Sequence, residues 1–148
     1  MARHRWSPRL AWCLVAAFGL LALGSATSAL ARKSPDRTPP TFAGLQSAIT
    51  CVPGPVGAGL STSYRLEWEP ATDDVTPSTK IVYDVYQATK PDGEDFTSPT
   101  YTVRHGATSF TTPPLPTDTT FYFVVRARDR AGNRDSNEVE RQGVNVCD

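Results

Sequence analysis

Few side chains in this sequence are of a type and spacing that could carry a reaction. Of the two histidines, His4 lies near the start and His105 stands beside Gly106 in what reads as a turn. A single solvated imidazole with no partner acid or base gives no general acid–base pair. Serines and threonines are plentiful, but none sits in the nucleophile-elbow spacing that exposes an attacking hydroxyl. Zinc would need more ligands than Cys51, Cys147 and His105 supply. Asp73-Asp74 and the group Asp92, Glu94 and Asp95 are hard-oxygen clusters of the kind calcium takes, yet the second lacks the alternating ligand positions of a calcium loop. The expectation is a protein with no catalytic residue, no metal and no cofactor.

The elements that hold these residues begin with an export signal. Residues 1 to 31 run from basic Arg3, His4, Arg5 and Arg9 through apolar Leu10 to Leu23 and into the small residues Gly24 to Ala31, the three parts of a secretory leader. Ala29-Leu30-Ala31 is the best cleavage site. The apolar run is shorter than the roughly 20 residues of a spanning helix, so membrane attachment is expected only if the leader is retained. His4 separates Arg3 from Arg5, which removes the twin-arginine pair, and Trp12 before Cys13 does not fit a lipoprotein signal.

The whole chain carries 15 Lys+Arg and 15 Asp+Glu, and loss of Arg3, Arg5 and Arg9 leaves 12 cations against 15 carboxylates, a net −3. Such a chain lacks the clustered basic face that nucleic acid requires. Cleavage also removes Cys13, and Cys51 and Cys147, left as the only thiols of a protein in an oxidising compartment, are expected to pair.

Residues 32 to 40, RKSPDRTPP, read as a polar, proline-rich linker, with the folded domain over 41 to 148. Phe42, Leu45, Ile49 and Cys51 mark a first strand that ends at Pro53-Gly54-Pro55, Gly57 and Gly59. In SYRLEWE, Tyr64, Leu66 and Trp68 alternate with Arg65, Glu67 and Glu69, as a strand with one buried face requires. After a loop, Ile81, Tyr83 and Val85 alternate with Val82, Asp84 and Tyr86. A short edge strand is expected over Thr100 to Arg104 and a fifth strand around Phe110, closed by Pro113, Pro114 and Pro116. The central strand lies in TTFYFVVRARDRAGN, from Thr119, with Phe121, Phe123, Val125 and Ala127 inward and Tyr122, Val124, Arg126 and Arg128 outward. Ala131-Gly132-Asn133 turns into a last strand with Val139, Val144 and Val146, where Gly143 could form a bulge.

Seven short strands at intervals of roughly ten residues predict an all-β, antiparallel sandwich around one core. Leu66, Trp68, Tyr83, Val85, Phe110, Leu115, Phe121, Phe123 and Val125 are its expected interior. The outward residues of the third and sixth strands form the candidate binding face: Val82, Tyr86, Tyr122 and Val124, edged by Asp84, Arg126 and Arg128. Tyr and Arg suit protein contacts because they join large rigid area to directed hydrogen bonds. An Asp84–Arg126 cross-strand pair is expected to support the sheet.

Over nearly all of Asp36 to Val146 the chain resembles a fibronectin type III domain of bacterial exoproteins, an immunoglobulin-like fold. The resemblance rests on DRTPPT, on LEWEPATDD with Trp68, on IVYDVY with Tyr83 and on LPTDTTFYFVVRARDRAGN. It implies that Trp68 and Tyr83 meet from opposite sheets, that Leu115 plugs the turn before the sixth strand, and that Asp129 to Asn133 form the next turn. It also implies that the Asp pair after Pro70 satisfies loop backbone donors. Phe121 stands where the family usually has tyrosine and cannot supply the corner hydrogen bond. In that topology Cys51 and Cys147 end the first and last strands at one pole, on facing sheets. The function so implied is a secreted, non-catalytic module that binds protein or glycan at the cell surface or outside the cell. A passive spacer, tethered by an uncleaved leader, and an accessory to a polysaccharide-degrading system are the alternatives.

Overall fold

The structure, a computed structural model, describes residues 34–52 and 59–147. The expected leader over residues 1 to 31, Pro53-Gly54-Pro55 and Gly57 lie outside the described residues. Residues from Ser34 onward form one compact unit. Its strands in chain order are β1 (Ser47–Thr50), β2 (Ser61–Thr62), β3 (Arg65–Glu67), β4 (Val82–Ala88) and β5 (Tyr101–Val103), followed by β6 (Ser109–Thr111), β7 (Leu115–Pro116), β8 (Tyr122–Arg128), β9 (Arg141–Gln142) and β10 (Val144–Asn145). They form a sheet ordered β10-β1-β3-β6, a second ordered β5-β4-β8-β9, and the small pair β2-β7. The protein is all-β and sandwich-like.

Alternation drives the packing. Leu66 of β3 faces Tyr83 and Val85 of β4 and Phe123, Val125 and Ala127 of β8, all 0 % exposed, in one core shared by the two larger sheets. Trp68 is buried and stacks on Tyr83 from the other sheet at 5.2 Å between ring centroids. The polar atoms of both rings are satisfied: the Trp68 indole donates to the Ala107 carbonyl at 3.0 Å, and the Tyr83 hydroxyl accepts the Ala71 N–H at 2.8 Å. Such partners are what allow amphipathic aromatics to sit inside a core. Phe121 is buried against Tyr64 and Phe123. Phe110 and Leu115 are only partly buried and pack on the rim, Leu115 through the β2–β7 pair.

Several features differ from expectation, the first being that ten short strands in three sheets stand where the sequence predicts seven in two facing layers. In the first strand, Ala48 and Thr50 point inward, while Ile49 is half-buried opposite Val144. The segment 34–40 is not wholly a free linker, since Pro40 is buried, Asn133 Nδ2 donates to the Asp36 carbonyl at 3.4 Å and Thr41 bridges Thr72. The expected single last strand with Val139, Val144 and Val146 is two short ones: β9 pairs antiparallel with β8, and after Gly143 the chain crosses to the other sheet, where β10 runs parallel to β1, which corrects the all-antiparallel expectation.

Gly143 permits this crossing by its lack of a side chain. A Cβ there would lie 2.5 Å from Cε1 and 2.9 Å from Cδ1 of Tyr64, a ring fixed in the core. Its N–H also donates to the Phe121 carbonyl at 2.8 Å, so the backbone cannot swing away freely. Gly143→Ala is therefore expected to cost about 1–3 kcal/mol, as overpacking does. The check is a lower midpoint of urea unfolding at unchanged slope.

The switch also corrects the setting of the disulfide. Cys51 and Cys147 are bridged, with Cα atoms 4.8 Å apart. They follow β1 and β10, which are neighbours in one sheet rather than members of facing sheets. Asn145 reinforces the seam, its side-chain oxygen accepting from the Val52 N–H and its amide donating to the Val52 carbonyl, at 3.0 and 3.2 Å.

Candidate functional site

β4 and β8 pair over seven rungs, from Val82↔Arg128 to Ala88↔Tyr122, and their outward side chains are the candidate binding face. The structure brings these residues together but does not leave them open. Asp84 is 0 % exposed and Tyr86 and Val124 are each 1 % exposed, while Val82, Tyr122 and Arg126 are half-buried. Tyr86 and Val124 thus belong to a second, smaller apolar layer and offer no aromatic contact surface. The layer is closed by Phe96, whose ring meets Tyr86 edge-on at 5.1 Å. The Arg126 guanidinium lies 3.6 Å from the Phe96 centroid and 5.9 Å from that of Tyr86, a cation–π stack with both. Its Nε donates to the Asn137 carbonyl at 2.9 Å and its head faces Glu138 at 3.7 Å.

Asp84 does not pair with Arg126 across the ladder. Its Oδ2 accepts from Arg128 Nε at 2.9 Å and Arg134 Nε at 2.8 Å, and its Oδ1 accepts from the Thr102 hydroxyl at 2.9 Å and Arg128 Nη2 at 3.3 Å. Arg134 reaches this carboxylate because the turn after β8 folds back, bridging Arg128 to Arg134. The turn is built by Asp129, which accepts the Asn133 N–H at 2.8 Å and its side-chain amide at 2.7 Å. Burial alone would raise the Asp84 pKa, but the hydrogen bonds from Arg128, Arg134 and Thr102 outweigh it and hold the carboxyl below its ordinary value. The same bond to Asp84 raises Arg128. Burial raises the Tyr86 phenol, whose hydroxyl has no hydrogen-bond partner among the described residues.

At the other end of the face lies a recess of about 190 Å³ lined by Asp92, Glu94, Phe96, Val124, Glu138 and Glu140. Asp92 holds a left-handed backbone with φ of 52°, and its N–H is fixed by the Glu140 carboxylate at 2.7 Å. Glu94 Oε1 is buried with no hydrogen-bond partner among the described residues. Burial, then the charges of Glu140 and Asp92, raise the Glu94 pKa. A carboxyl with a raised folded pKa favours the fold most at acid pH and loses that contribution as pH rises through the folded value. Glu94→Gln is therefore expected to stabilise the protein at pH 7, by well under about 1 kcal/mol after solvent screening. The gain should vanish below about pH 4, near the unfolded glutamate value, in paired thermal melts.

Two further recesses are polar. One, of about 660 Å³, runs along the β5–β6 edge past Thr102, Arg104, Thr108, Ser109 and Thr111. The other, of about 380 Å³, lies near the disulfide among Thr50, Thr62, Thr119, Thr120 and Asn145. His105 is exposed, and among the described residues it makes no ion pair or hydrogen bond. Asp36, Asp73 and Asp74 each bring one carboxylate oxygen within 4.8 Å of the others. Asp36 Oδ1 accepts the Thr38 N–H, and Asp73 Oδ1 those of Val75 and Thr76. Asp36 Oδ2 and Asp73 Oδ2 are buried without a hydrogen-bond partner among the described residues, and calcium there would need the rest of its six to eight oxygens from backbone or water. Asp92, Glu94 and Asp95 do not converge as one set, since Asp95 turns to the Thr97 N–H and hydroxyl.

Phe96, Arg134, Glu138 and Glu140 are members of this face that strand periodicity could not supply, because they lie in connections or past the turn. No family model, no curated protein and no solved structure matches the chain. What its own geometry defines is an all-β, sandwich-like protein with a Cys51–Cys147 disulfide.

Proposed function

We propose that the chain is an exported, non-catalytic module of fibronectin type III character that binds protein or glycan outside the cytoplasm. The disulfide carries the reading: a bridge across a sequence separation of 96 belongs with an oxidising compartment, and disulfides are rare where thiols are kept reduced. The sheets β10-β1-β3-β6 and β5-β4-β8-β9, with Trp68 and Tyr83 in contact between them, support a sandwich reading, with β10 parallel to β1 as the departure from the antiparallel one that the landmarks imply. The non-catalytic part rests on His105, exposed in its turn and without an acid partner among the described residues. The recesses are lined by hydroxyls and carboxylates that suit recognition of polar partners.

The test follows the chain in its own cell. Mass measurement of the protein in the medium or periplasm should find an N-terminus at Arg32 and no free thiol after alkylation. A cytoplasmic chain with both thiols free overturns the reading. Retardation in gels containing extracellular polysaccharide, absent in a plain gel, supports glycan recognition, whereas a secreted chain that binds neither glycans nor envelope proteins is a spacer.

A further inference from the structure

The face over β4 and β8 carries its charges in two separate groups. Two residues before the Asp84–Arg126 rung, at Val82–Arg128, stand Arg128 and, bridged to it, Arg134, two guanidiniums sharing the buried carboxylate of Asp84. Arg134 commits only its Nε to Asp84, and among the described residues its terminal nitrogens make no hydrogen bond, although its side chain is 37 % exposed. About 13 Å further along the strands, on the far side of the Asp84–Arg126 rung, at the Tyr86–Val124 rung and beyond, lies the recess with Asp92, Glu94, Glu138 and Glu140. Arg126 touches that group only through Glu138, which is 76 % exposed. One end of the face therefore has unused cationic donors, and the other has carboxylates in excess over cations.

We propose that this face binds a second copy of the same chain in a two-fold dimer, with Arg134 of each copy entering the acidic recess of the other. The arrangement is self-complementary. A two-fold axis lying between the two facing sheets, perpendicular to the strands and level with Arg126, reverses the strand direction of the second copy, so that each group of like charge meets the opposite one twice. The recess suits a guanidinium in particular: carboxylates offer paired acceptors for its fork, and the Phe96 ring lines the wall. Because the matching is of charge, the dimer is expected to be salt-sensitive and to form whichever partner the module holds outside the cytoplasm.

The test is sedimentation of the purified chain over a concentration series. A dimer is expected at low ionic strength, and it should dissociate as salt shortens the screening length from about 30 Å to about 3 Å. Glu138→Lys and Arg134→Glu should each raise the dimer dissociation constant at least about tenfold, since each opposes like charges twice. An equimolar mixture of the two variants should dimerise again, because Glu138→Lys on one copy then faces Arg134→Glu on the other and the charges are opposite once more. Thermal melts establish that both variants fold. If Arg134→Glu does not, because it sets a carboxylate against Asp84, Arg134→Gln replaces it and must weaken the dimer by itself. A chain that stays monomeric at every concentration in low salt overturns the proposal. So does a dimer that responds neither to salt nor to either variant, or a monomer whose arginines instead retain it on a sulfated polysaccharide column.

Discussion

Asp84→Ala is expected to be among the most damaging single substitutions in this protein, costing about 3–5 kcal/mol. The carboxylate is 0 % exposed and holds Arg128 and Arg134 together with the Thr102 hydroxyl. Removing it leaves two partly buried guanidiniums against each other with no counter-charge between them. A loss of that size is a large share of the 5–15 kcal/mol by which a domain is normally stable. Arg134→Ala should cost far less, roughly 1 kcal/mol, because its head is partly solvated and Arg128 keeps its own bonds to Asp84. In the double variant the two effects should not add, since the arginine's contribution depends on Asp84 being present. Denaturant midpoints of the three proteins measure this directly, and an Asp84→Ala protein within about 1 kcal/mol of wild type would refute the account.

The acid limb of stability should carry the same signature. The folded Asp84 pKa is depressed by Arg128, Arg134 and Thr102 acting against burial. Its contribution is thus present above the unfolded value of about 3.9 and is lost as pH falls through the folded value below it. Wild type should lose stability steeply under acid in that window, and Asp84→Ala should show a flatter slope there. Glu94, with a raised pKa, has the opposite sign.

The core was legible because one-sided burial writes a period of two into the chain. Tyr64, Leu66 and Trp68, Ile81, Tyr83 and Val85, and Phe121, Phe123 and Val125 each recur at every second position, and all nine are buried. The same logic misplaced the opposite face. Asp84, Tyr86 and Val124 alternate with the core residues as an outward set should, yet they are buried by Phe96 and by the chain around Asn137. Those covering residues sit in connections, where no periodicity marks what they will pack against. Asp84 pairing with Arg134 was hidden for a related reason, since its partner arrives through a turn and not across the β4–β8 ladder. Gly143 stood out in the sequence as a break, but a break does not say that the strand will leave one sheet for the other. Asp36 could not be placed beside Asp73 from a proline-rich segment that looked detached.

Reduction of the Cys51–Cys147 bridge is expected to match Asp84→Ala in size and to differ in mechanism. With a sequence separation of 96, the link closes nearly the whole domain downstream of β1 into one loop. In the chain-entropy model, opening a loop of that length releases about 4–5 kcal/mol of denatured-state freedom. The native side of the balance weakens as well. β10 is a two-residue edge strand, and its Val144 and the following Val146 are exposed, so little apolar burial holds it to β1. What remains is the two-rung parallel ladder to β1, the Val146 N–H bond to the Thr50 carbonyl and the Asn145 staple on Val52. A paired Cys51→Ser, Cys147→Ser variant is thus expected to melt roughly 15 to 25 °C below the oxidised protein. Hydrogen exchange should locate the earliest opening at the amides of Val52 and Val146, while those of β4 and β8 stay protected up to global unfolding. If those edge amides are as protected in the variant as in the oxidised protein, the bridge acts on the unfolded chain alone, and the β1–β10 seam stands without it.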